Sequence, residues 1–245
     1  MVSRLGQMGF GSDEIKQMGF VLLCRHELHQ GSGYREGPEN VLLPEAIERA
    51  RIRGCLLKKL GFTPDAVYAA PVWDQVGTMM YTLEGCGEMV QPIYMKMGLG
   101  DTSLDKELMS FRTDEGKTFK QQVVETSKKR FPDGPPNGNK DAGLATVILE
   151  DETLHQPMIR RGQEGAQALC EIANENMGKV AMAFTSAVAR YEVSIRALEG
   201  HQGTEMLDFV DELCPYGGIT LLVMNYGKVV IKQFMELLED NAIHA

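Results

Sequence analysis

An arginine and a histidine stand side by side where an apolar run ends, in Phe20-Val-Leu-Leu-Cys-Arg-His-Glu27. An imidazole beside a guanidinium can do phosphate chemistry: the neutral ring attacks phosphorus and the cation neutralises the oxygens that gain charge. Three further polar residues lie in loops that leave predicted strands. Glu27 follows the histidine, Asp74 lies in Ala70-Pro-Val-Trp-Asp-Gln-Val-Gly-Thr78, and Ser186 lies in Phe184-Thr-Ser-Ala-Val-Ala-Arg190. Glu27, His29, Asp74 and Asp101 are types that suit divalent ions, but no ligand spacing joins them, and no metal site or cofactor is expected. Ser186 has no GxSxG elbow around it, and Gly31-Ser-Gly33 lacks the lysine and serine of a phosphate loop.

The elements that must position these residues follow from apolar spacing. Phe20 to Cys24 is a short unbroken apolar block, as in a strand buried on both faces. Leu43, Ala46, Ile47, Ala50, Leu57 and Leu60 recur at helical spacing, with Pro44 in the first turn and Gly61 as stop. Ala66 to Ala70 reads as a second strand, Trp73 to Leu83 as a helix, and Val90 to Met95 as a third strand. Residues 101 to 160 differ: a charged helix around Lys117 to Lys129 precedes a breaker cluster, Pro132 to Gly143, expected to be an exposed loop. Gly162 to Met177 is helical, Val180 to Thr185 another buried strand, and Val188 to Leu198 another helix. Ile219 to Met224 and Val229 to Phe234 flank Asn225-Tyr226-Gly227, a three-residue hairpin turn. This alternation predicts a three-layer α/β/α sandwich with a mostly parallel sheet and an antiparallel C-terminal edge hairpin. Ligands bind such sheets at the carboxyl ends of the strands.

With 245 residues and 43% hydrophobic content, the chain can bury one full core. The expected organisation is an N-terminal extension over 1–19 and a single domain over 20–245, with an insertion or lid at 101–160. A net charge of -9 opposes a broad nucleic-acid or anionic-membrane footprint. No apolar run approaches the ~20 residues that span a bilayer, and the first residues lack the apolar core of a secretory signal. Five scattered cysteines without a CxxC pair suit reduced thiols, so an intracellular, by default cytoplasmic, setting is expected, with an organelle left open.

Taken in order, the loops Cys24-Arg-His-Glu-Leu-His29, Ala70 to Thr78 and Phe184 to Arg190 resemble those of the histidine phosphatase superfamily, the phosphoglycerate mutase-like fold. Arg25-His26 matches its first motif, Arg35-Glu36-Gly37 resembles a stretch in the following loop, and Leu42 to Ala50 falls on its helix-start pattern. Ala70-Pro71 through Thr78 follows the frame of its second-strand motif. The resemblance implies His26 as nucleophile, Arg25 as phosphate ligand and Arg35 as a substrate-binding residue. It also implies departures: Glu27 stands at a glycine, Asp74 at the second arginine and Ser186 at the second histidine. No glutamate follows the third strand, and Asp101 is the nearest acid.

An opposed unit charge about 5 Å away is worth roughly 3 kcal/mol at an effective dielectric near 20, so exchanging arginine for aspartate strongly disfavours a dianion. Glu27 pushes the same way, and Arg25 is expected to pair with Asp74 or Glu27. The expectation is a catalytically impaired member of this fold, a pseudophosphatase serving as a binding or structural subunit, with a protein partner or a homo-oligomer. The alternative is an active phosphomonoester phosphatase or mutase-like enzyme using His26 on a phosphorylated small molecule. In it Arg35, Arg190 or a lysine of the insertion would replace the missing cations.

Overall fold

The computed structural model describes residues 11–27, 42–87, 93–100, 110, 112, 115–133, 141–186, 189–209 and 213–235. A short helix α1 (Ser12–Lys16) leads into β1 (Gly19–Arg25), followed by α2 (Pro44–Lys59), β2 (Ala66–Ala69), α3 (Trp73–Cys86) and β3 (Ile93–Met95). Helices α4 (Phe119–Arg130), α5 (Asp141–Glu150) and α6 (His155–Glu175) precede β4 (Val180–Thr185). A π-turn (Ala189–Val193), α7 (Ser194–Leu198), β5 (Ile219–Asn225) and β6 (Lys228–Met235) complete the described chain.

Among the described residues the strands form a six-stranded sheet in the order β3-β2-β4-β1-β5-β6. The pairs β1/β4, β2/β4 and β2/β3 are parallel, while β5 runs antiparallel to both β1 and β6. Every residue of β1 is buried, and its alternation divides the core. Phe20, Leu22 and Cys24 face Leu57, Met79 and Leu83 of α2 and α3, whereas Val21 and Leu23 face Leu169, Ile172 and Ile195 of α6 and α7. Helices therefore cover both faces, giving the expected three layers.

Register explains where chemistry can occur. Arg25 lies opposite Thr185 in the parallel β1/β4 pair, and Ala69 opposite Phe184 in β2/β4, so the loops after β1, β2 and β4 leave the sheet at one end. Because β5 is antiparallel, with Ile219 opposite Cys24, the turn entering β5 arrives at that same end.

Several expected boundaries move. Asn225 pairs with Lys228, leaving a two-residue turn in which Tyr226 (φ 47) and Gly227 (φ 77) are both left-handed, the geometry that matches strand twist. Helix α6 begins at His155 instead of Gly162, because Met158 and Ile159 are buried against Ala145, Ile148, Val193 and Phe209 in a satellite cluster. Asp141 to Gly143, expected in the exposed loop, open α5, which carries Ala145 and Ile148 into that cluster. The expected helix from Val188 is a π-turn followed by one short helix, and residues 187 and 188 lie outside the described residues.

Candidate functional site

His26 follows the last residue of β1, and its backbone N–H continues the β4 ladder by donating to Thr185 O at 3.1 Å. Its side chain is 9% exposed. Nδ1 lies 2.9 Å from the Glu27 carbonyl. A carbonyl only accepts, so in this contact Nδ1 is the donor. Asp74 Oδ2 lies 3.9 Å from the same Nδ1, and Asp74 Oδ1 accepts from the Gln75 N–H at 2.6 Å in the first turn of α3. A carboxylate there is favoured by the helix dipole.

Two groups of the turn before β5 meet Arg25. Its Nη1 donates to the Cys214 carbonyl, and its guanidinium lies 3.9 Å over the centre of the Tyr216 ring. The Tyr216 ring also meets His26 edge-on, with centroids 5.6 Å apart. Among the described residues the cations on Glu27 are Arg49 and Arg53 instead. Arg49 Nη2 lies 3.2 Å from Glu27 Oε2, and Arg53 Nη1 pairs with Oε1. Glu27 is fully buried, whereas the side chains of Arg49 and Arg53 are 32% and 18% exposed. Glu27 therefore does not add an uncompensated negative charge, as expected from sequence; two guanidiniums of α2 meet it.

Ser186, at the end of β4, accepts from Gln75 Nε2 at 2.6 Å, while Gln75 Oε1 accepts from the Ala70 N–H at 3.1 Å. Thr78 Oγ1 accepts from the Glu27 N–H at 2.9 Å and donates to Asp74 O at 2.7 Å, tying α3 to the β1 loop. Arg190 is not at this site's disposal. It donates to Gly100 O and Arg161 O at 2.9 and 2.6 Å and pairs with Glu164 at 2.7 Å. Arg35, His29 and Asp101 lie outside the described residues. The structure thus brings together Arg25, His26, Glu27, Asp74 and Ser186, and adds Arg49, Arg53, Gln75, Thr78 and Tyr216, which sequence reasoning missed. The one signal was Arg49 and Arg53 at i, i+4, which shares a helix face but names no partner.

Among the described residues no group of three His, Cys, Asp or Glu side chains is placed to hold a metal ion. Chemically, the site offers an imidazole oriented through Nδ1, beside a carboxylate, with Arg25, Arg49 and Arg53 engaged by protein groups.

The architecture defines the class at the level of fold: it is phosphoglycerate mutase-like. A phosphoserine phosphatase from Entamoeba histolytica, solved in complex with 3-phosphoglyceric acid, is 19% identical with a TM-score of 0.56, over 90% of this chain and 98% of that one. A phosphoglycerate mutase from Bacillus anthracis str. Sterne is 13% identical with a TM-score of 0.57, over 91% and 95%. YhfR from Bacillus stearothermophilus is 14% identical with a TM-score of 0.51, over 86% and 94%. No protein-family model matches the sequence, and no curated protein matches it significantly. The likeness is one of fold.

Proposed function

We propose that this protein uses the histidine phosphatase fold without phosphoryl transfer and acts as a binding or structural subunit for a protein partner or a second copy of itself. The observation that carries this reading is the filling of the anion-binding positions around His26. Asp74 and the Gln75–Ser186 pair occupy two of them, and Arg25 is held by Cys214 and Tyr216. A phosphoryl group there would face a carboxylate and find too few available cations. Exposed apolar side chains on edge strand β3 and the turn after it, Ile93, Tyr94, Met95 and Met97, support the partner half of the reading. Five free thiols support an intracellular setting. Among the described residues no helix is long and apolar enough to cross a membrane.

The test is hydrolysis of a phosphomonoester panel by the wild type and by His26→Ala. Equal background rates are expected. Enzymatic turnover that vanishes in His26→Ala would overturn the reading. One observation favours the second reading, an active phosphatase or mutase-like enzyme: the Glu27 carbonyl lies 2.9 Å from Nδ1 of His26, a contact that orients the ring and favours a proton on Nδ1 over Nε2 in the neutral form, as attack on phosphorus requires. That reading predicts a labelled phosphohistidine after incubation with a 32P-phosphomonoester, and its complete absence would remove it.

A further inference from the structure

We infer that Tyr216 is a built-in plug, which holds Arg25 against the turn entering β5 and away from any anion at His26. The inference rests on the silent-site reading above and names the residue that enforces it. Arg25 N donates to Gly218 O at 2.9 Å, and Gly217 N donates to His26 O at 3.1 Å, so the turn is laced to the histidine loop on both sides. Within that lacing, Cys214 O takes a guanidinium N–H and the Tyr216 ring covers the cation. An aromatic face attracts the cation and so competes with an anion for it.

The turn has little room to retreat. Cys214 N is anchored on Glu192 Oε1 at 2.9 Å, and Arg53 Nη2 donates to Tyr216 O at 3.4 Å. Gly217 adopts a left-handed φ of 67, and any side chain there would overlap Arg53 and Glu27. The turn is thus packed directly on the Glu27–Arg53 ion pair. Tyr216 itself is only half-buried, so its ring can be removed without opening the sheet core.

Because Asp74 also opposes an anion, the test starts from Asp74→Arg. It compares that variant with Asp74→Arg/Tyr216→Ala and Asp74→Arg/Tyr216→Phe, using inorganic phosphate and tungstate as probes and melting temperature plus calorimetric Kd as readouts. Loss of the ring should tighten oxyanion binding at least tenfold over Asp74→Arg alone, whereas Tyr216→Phe, which keeps the ring, should not. Asp74→Arg/Tyr216→Leu serves as the alternative should the alanine variant not fold. Equal affinity with and without the ring, or no binding in any double variant, overturns the plug. The silent-site reading is judged separately on the wild type: it falls if the unmodified protein binds these oxyanions and loses them on His26→Ala.

Discussion

At the scale of single residues, buried groups near the site set measurable consequences. Glu27 is fully buried between two arginines, so Glu27→Gln removes the charge that both guanidiniums face. Since Arg49 and Arg53 retain partial contact with water, we expect a loss of about 1–3 kcal/mol, less than for a fully buried pair, measurable by urea denaturation. The thiols give a pH prediction. Burial pushes the Cys214 thiol up to about 12, and burial followed by the neighbouring Cys214 and Cys86 raises Cys24 well above its ordinary value. Above about pH 9 the unfolded chain releases protons that the folded chain retains, so stability must fall as pH rises. Each such thiol contributes about 1.4 kcal/mol per pH unit. Urea midpoints should fall between pH 8.5 and 10.5, and less steeply in Cys214→Ala. At pH 8 a thiol reagent should label exposed Cys55 before buried Cys24, Cys86 and Cys214.

At the scale of elements, the position of the α2 arginines depends on how closely α2 approaches α3. Gly54 and Gly85 sit where the two helices touch: a side chain on Gly54 would overlap the Thr82 carbonyl, and one on Gly85 the Arg51 carbonyl. Backbone cannot yield as a flexible side chain can, so Gly54→Ala should cost about 1–3 kcal/mol by overpacking. It should also displace Arg49 and Arg53 from Glu27, visible as changed NMR shifts at Glu27 and Gly217. The satellite cluster makes a contrasting prediction. Ile148 of α5 is fully buried against Leu154, Met158 and Phe209, apart from the two clusters that line the sheet. Ile148→Ala should cost about 2–4 kcal/mol. Hydrogen exchange should locate the loss in α5 and the start of α6, leaving β1 and β4 protected.

For the whole molecule, the sheet gathers the carboxyl ends of β1, β2 and β4 and the start of β5 at one end, and everything proposed about the site depends on that convergence. Among the described residues the two edges of the sheet differ. Strand β6 carries Lys228 and Lys232, charges that discourage edge-to-edge pairing, whereas the three residues of β3 are apolar or aromatic and exposed. If a second copy is the partner, sedimentation should show a dimer that Met95→Lys dissociates without changing the melting temperature of the monomer.

Much of this was legible in the chain before folding was considered. Unbroken apolar runs such as Phe20 to Cys24 and Val180 to Thr185, with helical spacing between them, carry their own period, and so the layers and strand positions followed from local chemistry. Arg25, His26, Asp74 and Ser186 were visible because the segments that follow the predicted strands resemble the motifs of a known family. Boundaries governed by distant packing were not visible: α6 starts early because Met158 and Ile159 find apolar neighbours in α5 and the π-turn. Nor was the choice of partner for each charge. Sequence places a carboxylate after His26, but only the approach of α2 delivers Arg49 and Arg53 to it. Only the antiparallel register of β5 carries Tyr216 onto Arg25. Periodicity is a local property of a chain, whereas the pairing of buried charges is settled by which distant segments the fold brings within a few ångströms.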